Sequence, residues 1–381
     1  MRVRIRSADD DGCGFYRCKE PARVLAGDGH NVELFDGKVF SHRQNVFGQW
    51  VETKPDVVVV QRPLSRHTAE ETIPLCQAHG VAVVVEIDDD FAALDPSNAA
   101  FHTTHVRRSP DYNVTWLQKS CAIADLVTCT TPALARRYAG HGRAAVIPNF
   151  VPAAWEAIPV PVWDVPRVGW SGHLSTHPRD LQVIGSRLDA ALAEGGGVFR
   201  AIGDGRVAKV LRIPPIRFES VEYVELARYP FEVVALDIGL VPLVDTAFNR
   251  AKSALKATEY AALGVVPVMS PTPDNRRVHE QLGLGVLAAD STQWGRQVSR
   301  LLSDATLRAE MAAAEREAVY HHATTEGNAW RWLEAWDTAI RNRRKTPHPR
   351  GSTHALSAQT ETSRLWPGRT PAGLHQRSIA G

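Results

Sequence analysis

The sequence lacks the features that mark secreted, membrane-spanning and disulfide-stabilised proteins. Its N-terminus, MRVRIRSADDD, has basic residues but no apolar segment like that of a secretory signal peptide. No run approaches the roughly 18 apolar residues that a membrane-spanning helix needs. The five cysteines are scattered and form no C-x-x-C pair, which excludes a recognisable disulfide framework or zinc site. These absences predict a cytoplasmic protein without a transmembrane segment.

The bulk composition is that of an ordinary globular protein, but its charge is unevenly distributed. The 381 residues predict two or three domains. Residues 342–381 carry a net charge of +6, whereas the whole chain carries +2, so the rest of the chain is slightly acidic. These last residues are rich in Pro, Gly, Ser and Thr and have no apolar periodicity. They predict a basic disordered tail, which is either solvated or able to contact a polyanion such as nucleic acid or anionic lipid.

The most informative stretch runs from Asp237 to Pro271 and predicts one βαβ unit of a parallel sheet. An apolar run, Ile238–Val241, is followed by a polar loop, a helix over Lys252–Leu263 and a second apolar run, Val265–Met269. Ligands in such units bind outside the carboxyl ends of the strands, where the helix amino terminus points. The loop and the start of the helix are therefore predicted to form a binding site.

The predicted helix carries charged residues on one face. Lys252, Lys256 and Glu259 are spaced i, i+4 and i+7, and Asn249 and Ser253 stand where a helix cap belongs. Two ammonium groups beside a helix amino terminus suit a diphosphate, and Glu259 could accept hydrogen bonds from a ribose diol. The alternative is a solvated face with an ordinary Lys–Glu pair.

The segment FNRAKSALKATEYAALGVVPV resembles the donor-site element of retaining GT-B glycosyltransferases of the family-four or "group 1" type. In that family, an E-x₇-E motif ends in a Glu that holds the nucleotide ribose, and Glu259 matches this second Glu. Ala251 stands at the first Glu position, which usually contacts the donor sugar. The chain is similar to a branch of the family with F-N-x-x-K-S-x-x-K-x-x-E in place of the full motif.

The N-terminus also predicts a Rossmann-like start, because a strand at Val3–Ile5 leads through Gly12-Cys13-Gly14 into a helix over Tyr16–Ala26. Gly12 and Gly14 allow a close approach of the backbone to a ligand, or they only turn the chain. The pattern D-x-x-G-C-G-x-Y-R is similar to the start of the same glycosyltransferases. That resemblance implies that the glycine loop faces the donor phosphate and the acceptor.

A continuous β-branched strand, Val81–Ile87, delivers Asp88, Asp89 and Asp90 to a predicted cleft edge. In many relatives this strand leads into a His-Asp pair near the donor sugar. This chain has Asp88 and Asp89 there, so the resemblance makes them the catalytic candidates by position and not by chemistry. A metal site at these acids is the alternative, as are plain surface turn acids. We predict no metal, because Lys252 and Lys256 could neutralise the diphosphate.

A second Rossmann-like half begins at residue 167, and it supplies two more site candidates. The motifs ADLVTCTTPALARRY and VIPNFV resemble the end of the first GT-B domain, and a Pro-rich linker follows. Gly172, at the end of the first strand of this half, is predicted to approach the diphosphate, with His173 beside it. The predicted parts are an acceptor-side domain (1–151), the linker (152–166), a donor domain (167–326), a returning helix (327–341) and the tail (342–381).

The prediction is thus an α/β protein with two Rossmann-like domains that face each other across a cleft. The resemblance implies transfer of a sugar from a UDP- or GDP-linked donor, with retention at the anomeric carbon and without a further cofactor. The acceptor is open among glycan, lipid, protein and nucleic acid. Two alternatives are an epimerase or hydrolase of nucleotide sugars and a non-catalytic module that binds them.

Overall fold

The computed structural model describes residues 1–345 except 38, 40 and 45–49, and for 41–44 and 50–53 it describes the backbone alone. Strands between residues 2 and 146 form one six-stranded parallel sheet, and strands between 167 and 287 form another. The predicted domain limits at 151 and 167 fall between the two sheets and stay predictions. Most of the predicted tail, residues 346–381, lies outside the described residues. Within the described part, no helix is long and apolar enough to cross a membrane.

The first domain contains a parallel sheet, a separate antiparallel hairpin and six helices among its described residues. The sheet has the strand order β2-β1-β5-β6-β7-β8, and β3 pairs with β4 in the hairpin. The strands are β1 (Arg2–Arg6), β2 (Asn31–Leu34), β3 (Ser41–Gln44), β4 (Trp50–Thr53), β5 (Val57–Gln61), β6 (Ala82–Ile87), β7 (Leu126–Cys129) and β8 (Ala144–Val146). The helices are α1 (Gly12–Gly14), α2 (Glu20–Gly27), α3 (Ile73–Ala78), α4 (Ala99–Thr104), α5 (Val114–Ile123) and α6 (Pro132–Tyr138). Phe15–Lys19 and Thr68–Thr72 are π-helical, and Phe91–Ala93 is a 3₁₀ turn.

The sheet of the second domain has the strand order β11-β10-β9-β12-β13-β14. The strands are β9 (Arg167–Ser171), β10 (Val198–Gly203), β11 (Phe218–Glu222), β12 (Ile238–Val241), β13 (Val266–Met269) and β14 (Val286–Leu287). The helices are α7 (Arg187–Glu194), α8 (Val207–Leu211), α9 (Tyr229–Val233), α10 (Ala247–Ala251), α11 (Leu255–Ala262), α12 (Pro273–Leu282), α13 (Ser291–Ser303), α14 (Ala305–His322), α15 (Thr325–Asn328) and α16 (Trp330–Lys345). Ala153–Ala157, Asp180–Val183 and Pro215–Arg217 are 3₁₀ turns.

The central strands confirm the prediction of sheets that are covered on both faces. Every residue of β5 and β6 is buried, and the two strands pair in parallel from Val57 and Ala82 onward. Runs of β-branched residues suit this position because both faces of the strand pack against helices. The polar residues that interrupt the runs, such as Glu86, therefore require a buried partner.

Arg17 supplies that partner and ties several parts of the first domain together. Its Nε lies 2.8 Å from Glu86 Oε1, and both side chains are only 1% exposed. Its Nη1 donates to the carbonyl oxygens of Ile147 (2.7 Å) and Pro148 (3.2 Å), at the exit from the first domain. The guanidinium also lies 5.4 Å from the ring of Trp332 on α16. One buried cation thus connects the π-helical segment, β6, the domain exit and the last helix.

Helix α16 packs against β5, β6 and β7 of the first sheet. Trp332 and Trp336 are buried in this contact, whereas Trp330 is 51% exposed. The helix ends at Lys345, four residues beyond its predicted end at 341. Arg343, assigned from the sequence to the tail, is buried and lies 3.5 Å from Asp125. The tail boundary is corrected accordingly.

Glu315 on α14 makes the stability of the protein depend on pH. It is 3% exposed, and burial raises the pKa of its carboxyl group to about 8 from an ordinary value of 4.5. The folded state then holds a proton that the unfolded chain has lost, so stability falls as the pH rises from about 4.5 to 8. Glu315→Gln should remove this fall, which for a single group amounts to about 1.4 kcal/mol per pH unit.

Urea unfolding at pH 5, 7 and 9 measures this effect as the difference between Glu315→Gln and the wild type. Glu310→Gln is the matched control because Glu310 is exposed on the same helix. The difference should grow with pH for Glu315→Gln only. Equal pH profiles for the two variants would contradict the assignment.

Candidate functional site

A cleft of about 170 Å³ lies between the two domains at the carboxyl ends of β6, β9 and β12. Its first-domain wall includes Cys13, Tyr16, Arg17, Asp88, Asp89 and Asn149. Its second-domain wall includes Trp170, Ser171, His177, the chain from Leu240 to Leu243, Lys252, Ser253, Leu255 and Lys256. Of the predicted site residues, Asp88, Asp89, Lys252, Ser253 and Lys256 are therefore brought together at one cleft.

The helix that was predicted over Lys252–Leu263 is interrupted at its start. The side chain of Thr246 caps a short preceding helix, α10, and accepts a hydrogen bond from the Asn249 N–H at 3.1 Å. Lys252 is extended, with φ −66° and ψ 145°, and α11 begins only at Leu255 without a side-chain cap. The prediction that Lys252 shares a helical face with Lys256 and Glu259 is thus wrong. Lys252 instead reaches the cleft from the turn between two helices.

Asn249 and Ser253 do not cap α11 either, because each has another partner. The Asn249 side-chain amide is buried and donates to Asp180 Oδ1 at 2.6 Å, and Asp180 in turn contacts His177 Nδ1 at 2.8 Å. Ser253 Oγ accepts a hydrogen bond of 2.9 Å from the Asn149 amide of the other domain. Asn249 therefore supports the cleft wall from behind, whereas Ser253 helps to join the domains.

Close packing of α11 on β12 fixes the position of Lys256. A Cβ atom on Gly239 would lie 2.2 Å from the Tyr260 ring, so glycine at this position lets the helix approach the strand. The Tyr260 hydroxyl accepts a hydrogen bond from the Ser171 N–H at the end of β9, at 3.1 Å. The first turn of α11, with Lys256, is thereby held beside the cleft.

Lys252 and Asp89 form an ion pair across the cleft. The Lys252 Nζ lies 3.2 Å from Asp89 Oδ1, and the two side chains are 18% and 27% exposed. Burial acts to lower the pKa of Lys252, but the nearby Asp89 carboxylate outweighs it, so the pKa lies above the ordinary value. Lys252 is consequently a cation near neutral pH, and the first domain now supplies its counterion.

Lys256 and Glu259 form a second ion pair, which also involves the first domain. The Lys256 Nζ lies 2.9 Å from Glu259 Oε2 and 2.8 Å from the Tyr229 hydroxyl. Tyr229 and Tyr16 donate to the two Glu259 oxygens at 2.9 and 2.6 Å, respectively. Burial opposes the charge of Lys256, but Glu259 together with Tyr229 and Tyr260 outweighs it, and the pKa of Lys256 lies well above its ordinary value. Glu259 is 3% exposed, so in this conformation its carboxylate is occupied by protein groups.

The three consecutive acids after β6 diverge. Asp88 is 7% exposed, and neither of its oxygens has a hydrogen-bond partner within the described chain, although Arg62 Nε lies 3.5 Å away. Asp90 turns from the cleft and accepts a hydrogen bond from the Tyr138 hydroxyl at 3.1 Å. Across the residues that the structure describes, no group of three or more His, Cys, Asp and Glu residues could hold a metal ion.

The other predicted residues lie outside the cleft wall. The Gly14 N–H donates to Asp9 Oδ1 at 2.8 Å, within a tight loop, while Gly12 is half-buried beside the Tyr16 ring. The Gly172 N–H donates to the Ile202 carbonyl at 3.0 Å. The His173 ring packs on Tyr223 with 5.7 Å between the ring centroids. These residues shape the surroundings of the cleft but do not line it, so their role in donor binding stays a prediction.

Sequence reasoning missed several residues of the site. Tyr16 and Tyr229 gave no signal, because nothing local indicates that both meet Glu259. The His177–Asp180 pair was recognisable by its i, i+3 spacing and its place after a strand. Arg62, at the end of β5, adopts a positive φ of 46°, which is unusual for a residue with a side chain and depends on tertiary contacts.

Comparison with solved structures identifies the architecture. Sucrose-phosphate synthase from Thermosynechococcus elongatus superposes with a TM-score of 0.61 at 15% identity, covering 90% of this chain and 99% of that one. The chain has the GT-B fold. The Anabaena protein HepE, solved in complex with UDP, gives a TM-score of 0.60 at 15% identity, covering 89% and 100%. AviGT4, a glycosyltransferase involved in avilamycin A biosynthesis, gives 0.55 at 14% identity, covering 90% and 98%. No protein-family model and no curated protein sequence matches the chain.

The two glycines of the N-terminal loop should respond differently to substitution. A Cβ atom at Gly14 would lie 2.1 Å from the Asp9 carbonyl oxygen, whereas at Gly12 its nearest neighbour, in the Tyr16 ring, would lie 3.9 Å away. Gly14→Ala should destabilise the protein by about 1–3 kcal/mol because the loop must shift. Gly12→Ala, the matched control, should change stability by less than about 0.5 kcal/mol. Chemical denaturation of both variants measures this, and equal losses would refute the packing role of Gly14.

Proposed function

We propose that the protein transfers a sugar from a nucleoside diphosphate sugar to an acceptor, and that the donor binds in the interdomain cleft. The observation that carries the proposal is the convergence of Lys252 and Lys256 on the same cleft as Asp88 and Asp89. The GT-B fold supports it, because HepE, a protein of this fold, was solved with UDP bound. A UDP- or GDP-linked donor and retention at the anomeric carbon are parts of the same proposal.

The charges of the cleft suit the chemistry of this transfer. The bond between the anomeric carbon and the diphosphate oxygen breaks, a bond to the acceptor oxygen forms, and the acceptor loses a proton. Negative charge develops on the leaving diphosphate, and preorganised cations stabilise that charge more than they stabilise the bound donor. Lys252 and Lys256 are the cations that fill this role in the proposal.

A donor must displace contacts that the protein makes with itself. Asp89 forms an ion pair with Lys252. The Tyr16 hydroxyl donates a hydrogen bond to one oxygen of Glu259, the residue proposed to hold the ribose. Both contacts join the two domains, so a separation of the domains would free Lys252 and the Glu259 oxygen that Tyr16 contacts. Closure over the bound donor would then exclude water from the reacting atoms. The structure corresponds in this proposal to a closed, self-paired form.

Asp88 is the proposed contact for a hydroxyl group of the donor sugar or of the acceptor. Its buried carboxylate lines the cleft without a hydrogen-bond donor in the described chain. Its counterion Arg62 lies 3.5 Å away without a hydrogen bond, and a ligand hydroxyl would supply the hydrogen bond that the buried carboxylate lacks.

An epimerase or hydrolase of nucleotide sugars is the second candidate, and the position of His177 favours it. This imidazole lines the cleft together with Asp88 and Asp89, and Asp180 holds its Nδ1 at 2.8 Å. Burial lowers the pKa of His177 despite that hydrogen bond, so the ring is neutral near pH 7 and available as a base.

One assay separates transfer from hydrolysis. The full-length protein is incubated with UDP- and GDP-linked sugars, with and without a panel of acceptors, and free nucleoside diphosphate is measured. Release that depends on an acceptor supports transfer, whereas release at the same rate without one supports hydrolysis. The assay is repeated in EDTA, where activity should persist because Lys252 and Lys256 supply the positive charge. Loss in EDTA that Mg²⁺ or Mn²⁺ restores would overturn this charge assignment.

Lys252→Ala and Lys256→Ala should each weaken the binding of UDP or GDP by about 1–3 kcal/mol, since each removes a charge-assisted contact to the diphosphate. Calorimetric titration measures the change. Lys209→Ala is the matched control, because Lys209 is exposed on α8 away from the cleft. Affinities that stay at the wild-type value in both cleft variants would remove the lysines from the donor site.

Tyr16→Phe should strengthen nucleotide binding by about 1 kcal/mol, or roughly fivefold, because one oxygen of Glu259 becomes available to the ribose. The phenylalanine ring keeps the edge-to-face contact with Trp155. Tyr229→Phe is the comparison, since Tyr229 contacts Glu259 from the same domain and does not hold the domains together. Weaker binding by Tyr16→Phe would show that Tyr16 belongs to the donor site itself.

A further inference from the structure

A second cavity, of about 330 Å³, lies between the domains on the other side of Asn149 from the cleft. Asn149 lines both spaces, and its amide hydrogen bond to Ser253 closes the wall between them. Phe150 from the end of the first domain, Arg277 on α12 of the second domain and Arg331 on α16 also line the second cavity. A ligand there would contact both domains and the returning helix, yet it would not touch Lys252 or Lys256.

The lining of this cavity has more positive than negative charge. Among the described residues, Arg277 and Arg331 are the arginines that line it, and Asp274 is the one lining carboxylate. Both oxygens of Asp274 already accept hydrogen bonds within the protein. Oδ1 accepts one from Arg277 Nε at 2.6 Å, and Oδ2 accepts one from the Ala254 N–H at 2.7 Å. Within the described chain, no carboxylate pairs with Arg331.

Each of the two guanidinium groups is held by a hydrogen bond from its own Nε atom. Arg277 is held through Nε by Asp274, and Arg331 is held through Nε by the Asn328 side-chain oxygen at 3.0 Å. Arg331 also lies over the Trp330 ring, with 4.7 Å between its central carbon and the ring centroid. The Nη groups of both arginines have no hydrogen-bond partner in the residues that the structure describes. Two pre-positioned guanidinium groups with free Nη atoms form a geometry that suits a carboxylate or phosphate.

We propose that this cavity is a second ligand site, which binds a small anion through Arg277 and Arg331. The ligand class is a carboxylate or phosphate compound with an apolar or neutral body, because Phe150, Val278 and Leu282 also line the cavity. The volume lies within the range of small-molecule sites, about 300–1,000 Å³. This inference does not depend on the proposed transferase activity.

Calorimetric titration with inorganic phosphate and with citrate tests the site at constant ionic strength and with saturating UDP, so that the donor cleft is filled. The two anions distinguish a phosphate from a carboxylate preference. Arg331→Gln and Arg277→Gln should each weaken the binding of the preferred anion by about tenfold, since each removes one charge-assisted contact. A Lys252→Ala/Lys256→Ala double variant, which alters only the donor cleft, should bind that anion as the wild type does.

The outcome of these titrations decides between the two cavities. Loss of anion binding in the arginine variants, with anion binding retained in the lysine variant, supports the second site. Binding of neither anion, or the opposite pattern of loss, overturns it. Arg331→Gln carries the test if Arg277→Gln unfolds, because Arg277 also anchors Asp274. If UDP fails to bind, the same comparison without UDP still decides, so failure of the donor proposal and failure of this one are distinguishable.

Discussion

The buried ion pair between Arg17 and Glu86 is the interaction on which the arrangement of the two domains depends. Glu86 interrupts a strand of valines in the centre of a parallel sheet, where an unpaired carboxylate would be strongly unfavourable. Arg17 neutralises it and uses its Nη1 group on the carbonyl oxygens of Ile147 and Pro148 at the domain exit. Because the same guanidinium lies beside Trp332, the direction in which the chain leaves the first domain is coupled to the docking of the last helix. Arg17 also lines the cleft itself.

Each lysine of the cleft is paired with a carboxylate of the protein. The charges of the two lysines are therefore compensated even when no ligand is bound. A buried ammonium group needs a counterion, and the protein supplies Asp89 to one lysine and Glu259 to the other. A diphosphate that enters would replace one set of ion pairs with another. The net gain in free energy is then smaller than the number of new contacts suggests, so ligand affinity reports a difference between two well-paired states.

The sequence predicted the two-sheet architecture because its signals are local. Valine runs, strand-terminal glycines and the βαβ spacing each indicate an element within some tens of residues. The same local reasoning placed Lys252 on a helix, and it failed there because Thr246 caps an earlier helix and Lys252 adopts an extended conformation. It also could not foresee that Tyr16 would occupy Glu259, since these residues are 243 positions apart and meet only when both domains are packed. Fold was thus predictable from pattern, whereas the state of the site depended on contacts between domains.

The packing of α16 on the first domain has a consequence for the order in which the protein folds during synthesis. Trp332 and Trp336 complete the packing over β6 and β7, yet they are synthesised after the whole second sheet. The valine-rich first sheet therefore leaves the ribosome with one apolar face partly uncovered, and it stays so until the last helix emerges. The first domain cannot reach its native packing as an independent N-terminal unit. A nascent chain that stalls before residue 330 would expose this face to chaperones or to other unfinished chains.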